Sequence, residues 1–504
     1  DTIREYAAAR LADAGETATF QHRLRDYVVR LAEHNLAVGM ALIPAPWSAR
    51  ADVFRRYDVD AGNAWQVLSW CLADGDAETG LRICTAVRPC WIVRGSFAEG
   101  GEWLDSFLAL DAPAVPPQVR GAALVGRGQL ALPSDPALAE TRAEEGLEAC
   151  RAARDEFWTA AALNLLSEIA LHTGRADDAA AWADEALSIA QAAGDGWNEG
   201  YALGTRAAIA GLLGRLREAQ QLATASISVM RRIDQQWGVA RALLGLGDLA
   251  RLRGDPGDAH DRYLEALAIL REIDARPGIA RCLAGLGRIA LDLGATGMAR
   301  QHLAESIRLS QSTGARMGVA RGLEAFAALT VAEDRPELAV QLTAAASALR
   351  ETAGLPPLSG ARAEQYLAPG RRLGEPAMTR LWAEGLAMGS EAAVALALDA
   401  PEVAAAAGRQ DTVTLTAVGT YPAVAPPGLL TPRERQVVAL IVSGRSNKSI
   451  AEELFISPAT AARHVANILA KLGFSSRTQI AAWAADKQLD LTAPATGPAS
   501  ARRA

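Results

Sequence analysis

An all-α fold in two parts is predicted, a long solenoid of stacked helix pairs followed by a compact four-helix domain near the C-terminus. Three observations predict it. The 504-residue chain is 50% apolar but only 5% aromatic, with alanine and leucine foremost, a composition that favours amphipathic helices over sheets. Small residues and glycines recur at one fixed interval through the middle of the chain. After about residue 400 the composition turns to Gly, Thr and Pro, and a short block dense in helix-capping signals follows.

Residues 1–116 read as a helical segment preceding the repeats, opening with a helix over 2–11 and enriched in tryptophan (Trp65, Trp70, Trp91, Trp103). The chain begins at Asp1 rather than Met, already inside that helix, so a piece of something longer is expected.

Over residues 117–350 the repeat has a period of 40. Gly174, Gly214, Gly254 and Gly294 mark one phase, which Ser134 and Asp334 share. A little further along each unit comes an alanine: Ala139, Ala179, Ala219, Ala259, Ala299 and Ala339. Leu163, Leu203, Leu243, Leu283 and Leu323 hold another phase, and small residues hold a third at Ala186, Ser226, Ala266, Ser306 and Ala346. Between anchors the apolar residues fall at helical spacing. Leu243, Leu246, Leu249 and Ala250 form one stripe, Gly254-Asp255-Pro256 breaks it, and Ala259, Tyr263, Ala266 and Leu267 form the next. Each unit is therefore helix, turn, helix, and the recurrent alanine lets the two helices approach closely. About six units fit, with a degenerate helical cap over 351–400 and a linker over 401–429.

The C-terminal domain spans 430–489, and 490–504 reads as a disordered tail. Thr431 caps its first helix, Pro432 takes the first position, Glu434 completes a capping box and Gly444 ends the helix. Val437, Val438 and Ile441 form the inner stripe. A second short helix from about Asn447 turns Ile450, Ala451 and Leu454 inward. Ser457 caps the third, on which Ala461, Val465, Ile468 and Leu472 converge on one face and which Gly473 stops. Ser476 caps a fourth that carries Ile480, Trp483 and Ala484. The second and third helices form a helix-turn-helix.

These motifs carry three resemblances. The paired helices resemble the tetratricopeptide repeat, whose small residues match Ala179, Ala186 and their counterparts; the usual period is about 34, so helices longer than that family's are expected. That resemblance implies a concave face that binds a protein or small-molecule effector. Leu430-Thr431, Arg433-Glu434, Gly444, Ser446-Asn447-Lys448, Ile450-Ala451, Leu454, Ser457, Thr460, His464-Val465, Ile468-Leu469, Lys471-Leu472 and Ser476-Arg477 resemble the LuxR-type helix-turn-helix. It implies a transcription regulator that binds double-stranded DNA. The tryptophan-rich opening resembles the segment that follows the ATPase in STAND-type regulators, which implies an ATPase domain upstream of Asp1.

On the third helix Ala459, Arg463, Ala466 and Ala470 oppose the buried stripe and would face the major groove, and Ala462 is also a candidate contact. Arg463 is the candidate for base reading, because a guanidinium bonds guanine bidentately. Thr460, His464, Asn467 and Lys471 flank that face; Thr460 and Lys471, with Asn447 and Lys448 from the second helix, are candidates for phosphate contacts, and Ser457 sits at the helix start. The family commonly has valine and a basic residue after the threonine, where this chain has Ala461 and Ala462. The nearly bare groove face implies modest affinity supplemented by a homodimer or higher assembly. The alternative is an interaction scaffold, or a fragment of a STAND-type signalling regulator, with vestigial DNA binding.

Charge and motif content bound the rest. Between 430 and 489 eight basic residues face four acidic ones, a local +4 in a chain whose total is −7, so DNA affinity is expected at one end only. Five unpaired cysteines (Cys71, Cys84, Cys90, Cys150, Cys282) suit helix packing in a reducing cytoplasm. The apolar stretch near 392–407 is broken by Asp399 and Glu402, so no membrane span is expected. Gly245-Leu-Gly247 and Gly285-Leu-Gly287 mimic a dinucleotide fingerprint but sit inside repeat helices, where these glycines read as helix-packing positions. The chain has no phosphate loop and no catalytic motif; no enzymatic activity and no cofactor are expected in it.

Overall fold

The structure, a computed structural model, describes residues 2–399, 432–442, 450, 451, 453, 454, 465 and 468. Its two compact units are Asp1–Ala404 and Ala405–Ala504. Every described element is helical, as the composition predicts.

In the first unit, α1 (Thr2–Asp13), α2 (Thr17–Gly39), α3 (Trp47–Asp74), α4 (Ala77–Arg94) and α5 (Phe97–Leu108) precede six helix pairs. These are α6 (Pro117–Ala131) with α7 (Pro136–Ala153), α8 (Glu156–Thr173) with α9 (Ala176–Ala193), and α10 (Gly196–Leu212) with α11 (Leu216–Arg232). Then come α12 (Gln236–Leu252) with α13 (Pro256–Glu272), α14 (Arg276–Asp292) with α15 (Thr296–Ser312), and α16 (Arg316–Ala332) with α17 (Pro336–Thr352). A short α18 (Gly360–Leu367), a 3₁₀ turn (Ala368–Leu373), α19 (Glu375–Leu386) and α20 (Ser390–Asp399) close the unit.

The turns explain the strict spacing. Gly174, Gly214, Gly254, Gly294 and Asp334 all take positive φ between paired helices. A second left-handed series stands midway between these positions, at Arg154, Gly194, Asp234, Asp274, Gly314 and Gly354. Each helix with its turn therefore takes half a period, and the repeating unit is two of these. Aspartates restart many of the helices: the carboxylates of Asp135, Asp155, Asp195 and Asp255 accept from the backbone N–H groups of Leu138, Trp158, Asn198 and Asp258.

Packing follows the predicted phases. The six alanines from Ala139 to Ala339 are all fully buried, as are Ala186, Ala266 and Ala346. Where serine replaces alanine its hydroxyl has a partner: Ser226 Oγ donates to the Gly200 carbonyl at 2.6 Å and Ser306 Oγ to that of Ala280 at 2.7 Å. The stripes of α12 and α13 are buried, with Tyr263 wedged beneath Gly247 of its own pair and Gly285 of the next. A Cβ on Gly287 would likewise strike Leu303, but one on Gly245 meets nothing within 4 Å. Gly245 is thus not a packing position: it lies on a different side of α12 from Gly247, away from α13. All five cysteines are buried free thiols, packed as small apolar residues.

The array also curls until it meets itself. Arg50 donates to the Ile233 carbonyl at 3.1 Å, 183 residues away, and Arg94 to the carbonyl of Ile273, 179 away. Ser134 Oγ donates to the carbonyl of Gly314 at 2.7 Å, 180 away. This constant offset amounts to about four and a half repeat units per superhelical turn, so α3, α4 and the α6–α7 turn lie across later turns of the array. These contacts enclose the inner face.

In the second unit α21 (Pro432–Val442) starts at Pro432, as expected. Val437, Val438, Ile441, Ile450, Ala451, Val465 and Ile468 are buried, matching the inner stripes read from the sequence, and Leu454 is half-buried. The expected caps at Thr431 and Ser457, the stops at Gly444 and Gly473, the fourth helix, the linker and the tail lie outside the described residues.

Candidate functional site

The predicted DNA-contact residues Asn447, Lys448, Ser457, Ala459, Thr460, Ala462, Arg463, His464, Ala466, Asn467 and Lys471 lie outside the described residues. What is described of their unit is its apolar interior: Val465 and Ile468, one helical turn apart, are buried, as are Ile450 and Ala451.

A second candidate, which the sequence reading missed, is a cavity of about 290 Å³ on the inner face of the first unit, lined by the first helices of successive pairs. Its walls repeat with the array. Phe157, Trp197, Trp237 and Pro277 stand one full period apart, and one helical turn on come Ala161, Tyr201, Arg241 and Arg281. Trp197 and Trp237 pack at 5.4 Å between ring centroids, and Phe54 of α3 meets Trp237 edge-on at 5.6 Å. The signal was present in the same period as the packing alanines, but in large residues rather than small ones.

The polar groups of the cavity fall into a satisfied set and an unsatisfied one. Tyr201 Oη donates to Glu168, and Arg241 stacks 3.4 Å from the Tyr201 ring centre while reaching the same carboxylate at 3.5 Å. Burial alone would raise the Glu168 carboxyl, but Arg241, His172 and the Tyr201 hydroxyl outweigh it and hold it below the usual range. Beside it, burial and then the nearby Arg321 push His172 down to about 4. Asn198 Nδ2 donates to the Phe157 carbonyl at 3.1 Å, and Asn164 Nδ2 donates to Asn198 Oδ1 at 3.1 Å.

Left over are Asn164 Oδ1, Gln129 Oε1 and two nitrogens of Arg88, all buried without a partner. Arg88 is 2% exposed, lies 4.7 Å over the Trp158 ring, and is pushed down to about 9 by burial alone. Such a cavity can hold a ligand by stacking and by charge. Among the described residues no cluster of His, Cys, Asp and Glu is arranged to hold a metal, and no helix is long and apolar enough to cross a membrane.

Comparison with known proteins gives two family matches. Residues 428–484 match the bacterial regulatory proteins of the luxR family, and residues 198–272, within α10 to α13, match the tetratricopeptide repeat. A Mycobacterium tuberculosis protein bearing the name of an HTH-type transcriptional regulator is 39% identical over 108 residues, 21% of this chain and 10% of that protein. The chain thus spans about a tenth of that relative's length. The transcriptional regulatory protein LiaR of Bacillus subtilis is 51% identical over 55 residues, 11% of this chain and 26% of LiaR. Among solved structures, a Rap protein complexed with Competence and Sporulation Factor covers 70% of this chain and 99% of its own, at 15% identity and a TM-score of 0.45. A STAND protein with a tetratricopeptide repeat sensor from Pyrococcus horikoshii covers 64% and 51%, at 14% identity and a TM-score of 0.36. The spore germination protein GerE of Bacillus subtilis is 49% identical over 51 residues, which are 10% of this chain but 69% of GerE. By that shared module the chain belongs to the luxR family of bacterial regulatory proteins.

Proposed function

We propose that this chain is a DNA-binding transcription regulator: its C-terminal helix-turn-helix binds promoter DNA, and its tetratricopeptide repeats bind a protein or small-molecule effector. The observation that carries the reading is the luxR-family match over residues 428–484, in a segment that is locally basic on an acidic chain. Arg463 reads a base; Asn447, Lys448, Thr460 and Lys471 hold phosphates and set the orientation. Ser457, Ala459, Ala462, His464, Ala466 and Asn467 line the same surface. With alanines across the groove face, affinity comes from a homodimer or higher assembly on DNA. The regulator acts in the cytoplasm, without catalysis of its own in this chain. The domain limits follow the sequence reading: a helical segment over 1–116, repeats over 117–350, a cap over 351–400, a linker over 401–429, the DNA module over 430–489 and a tail over 490–504.

One observation favours a second reading, an interaction scaffold or signalling fragment with vestigial DNA binding: Ala459, Ala461, Ala462 and Ala466 leave few groups able to read a base. Selection of bound fragments from genomic DNA separates the two. The first reading predicts enrichment of discrete fragments by the full chain and none by a chain ending at Ala404. Equal recovery by both would leave the scaffold.

A further inference from the structure

The cavity on the inner face contains a buried cation that no carboxylate among the described residues neutralises. Arg88 projects from α4, is 2% exposed, and has two nitrogens, Nε and Nη1, buried without hydrogen-bond partners. No carboxylate pairs with it among the described residues, whereas the other arginines that line the cavity are paired: Arg241 with Glu168 at 3.5 Å and Arg281 with Asp248 at 2.9 Å. It lies over the Trp158 ring at 4.7 Å, a contact that orients the guanidinium but does not cancel its charge. Leaving a charge in this state is costly unless a counter-charge arrives from outside. Burial has already pushed this guanidinium down to about 9. Gln129 Oε1 and Asn164 Oδ1, which line the same cavity, are buried acceptors awaiting donors. Much of the remaining wall is apolar, with Phe157, Trp197 and Trp237 beside aliphatic side chains such as Ile92, Leu165 and Leu244, and about 290 Å³ suits a ligand of modest size rather than a long peptide.

We infer that this cavity is an effector site for a small organic carboxylate, its anionic head on Arg88, a hydrogen-bond donor on its body met by Gln129 and Asn164, and its apolar part against Trp197 and Trp237. The inference rests on the reading that the repeats bind an effector, and it names the ligand class and the place. It also explains why an arginine stands where a methionine would pack at lower cost: stability is given up in the empty state and recovered on binding.

The test is thermal unfolding of the full chain with matched acids and amides: phenylacetate against phenylacetamide, and octanoate against octanamide. The expected result is a rise in Tm with the acids and at least about tenfold weaker binding of the amides, as for a lost hydrogen bond to a charged group. Arg88→Met should raise the ligand-free Tm and abolish the preference for acids. Gln129→Met, which keeps the charge and removes one acceptor, should retain that preference. If acids and amides bind equally, in the wild type and Arg88→Met alike, the anion assignment falls while the effector reading stands. If none of the four shifts Tm, the cavity is not a small-molecule site, and the small-molecule form of the effector reading falls with it. A lower ligand-free Tm for Arg88→Met would show a structural arginine and overturn the proposal.

Discussion

Two glycines near one another on α12 should respond in opposite ways to the same substitution. A Cβ on Gly247 would stand 2.7 Å from Cε1 and 2.9 Å from Cδ1 of Tyr263. That ring cannot swing clear, because it is 1% exposed, its hydroxyl donates to Asp248 Oδ1 at 2.6 Å, and Gly285 closes its other side. Overpacking of this kind costs about 1–3 kcal/mol, against which alanine recovers about 0.5–1 kcal/mol over glycine inside a helix. Gly247→Ala should therefore destabilise by about 1 kcal/mol, within a range of about 0–2.5 kcal/mol. Gly245→Ala, whose Cβ meets nothing within 4 Å, should stabilise by about 0.5–1 kcal/mol. Urea unfolding followed by far-UV circular dichroism reads both, as opposite shifts in midpoint at an unchanged slope. If Gly247→Ala stabilises as much as Gly245→Ala, Tyr263 is not wedged between pairs and the packing account of the array is wrong.

Other outcomes follow from the same structure. Ser226→Ala and Ser306→Ala each remove one buried hydroxyl bond but install the alanine found at this phase in other units, so each should cost no more than about 1 kcal/mol in the same urea assay. Burial pushes the Cys90, Cys150 and Cys282 thiols up to about 12 and Cys71 to about 11, so a thiol reagent at pH 8 should modify these four only after denaturant is added; rapid labelling of the native chain would contradict the packing. His172 folds as the neutral imidazole, pushed down to about 4, and Glu168 folds as the carboxylate, held below its usual range. In both cases the unfolded chain binds more protons, so stability should fall as pH drops below about 6.5 toward 4. His172→Gln should flatten the upper part of that fall, and an unchanged profile would remove the histidine from the account.

Much of the fold was legible because helix pairs that stack must meet at small residues, and these recur at fixed intervals. Ala179, Ala219, Ala259 and Ala299 announced the period without any need to know what lay opposite them. The second left-handed series escaped notice because its positions are filled by arginine, glycine and aspartate rather than by one residue type. The closure of the array was not legible at all. It depends on Arg50, Arg94 and Ser134 reaching backbone carbonyls far along the chain, 180 residues away in the case of Ser134, and such contacts leave no local pattern. The inner cavity fell between these cases: Trp197 and Trp237 do repeat, but the emptiness around Arg88 emerges only when helices distant in the chain converge on it. In the DNA module the reverse holds, since capping and stripe signals predicted an interior that Val437, Ile441, Ile450, Val465 and Ile468 bear out.

Binding of the full chain to a fragment from upstream of its own operon, titrated with salt, tests the central claim most directly. If Lys448 and Lys471 each neutralise one phosphate, log K should fall with log salt at a slope of about −2 for one protomer and about −4 for a dimer. Arg463→Ala should weaken binding about 10- to 100-fold and leave the fragment less well distinguished from unrelated DNA. Retention of the fragment no better than by a chain ending at Ala404, or an Arg463→Ala variant that binds and discriminates like the wild type, would contradict it.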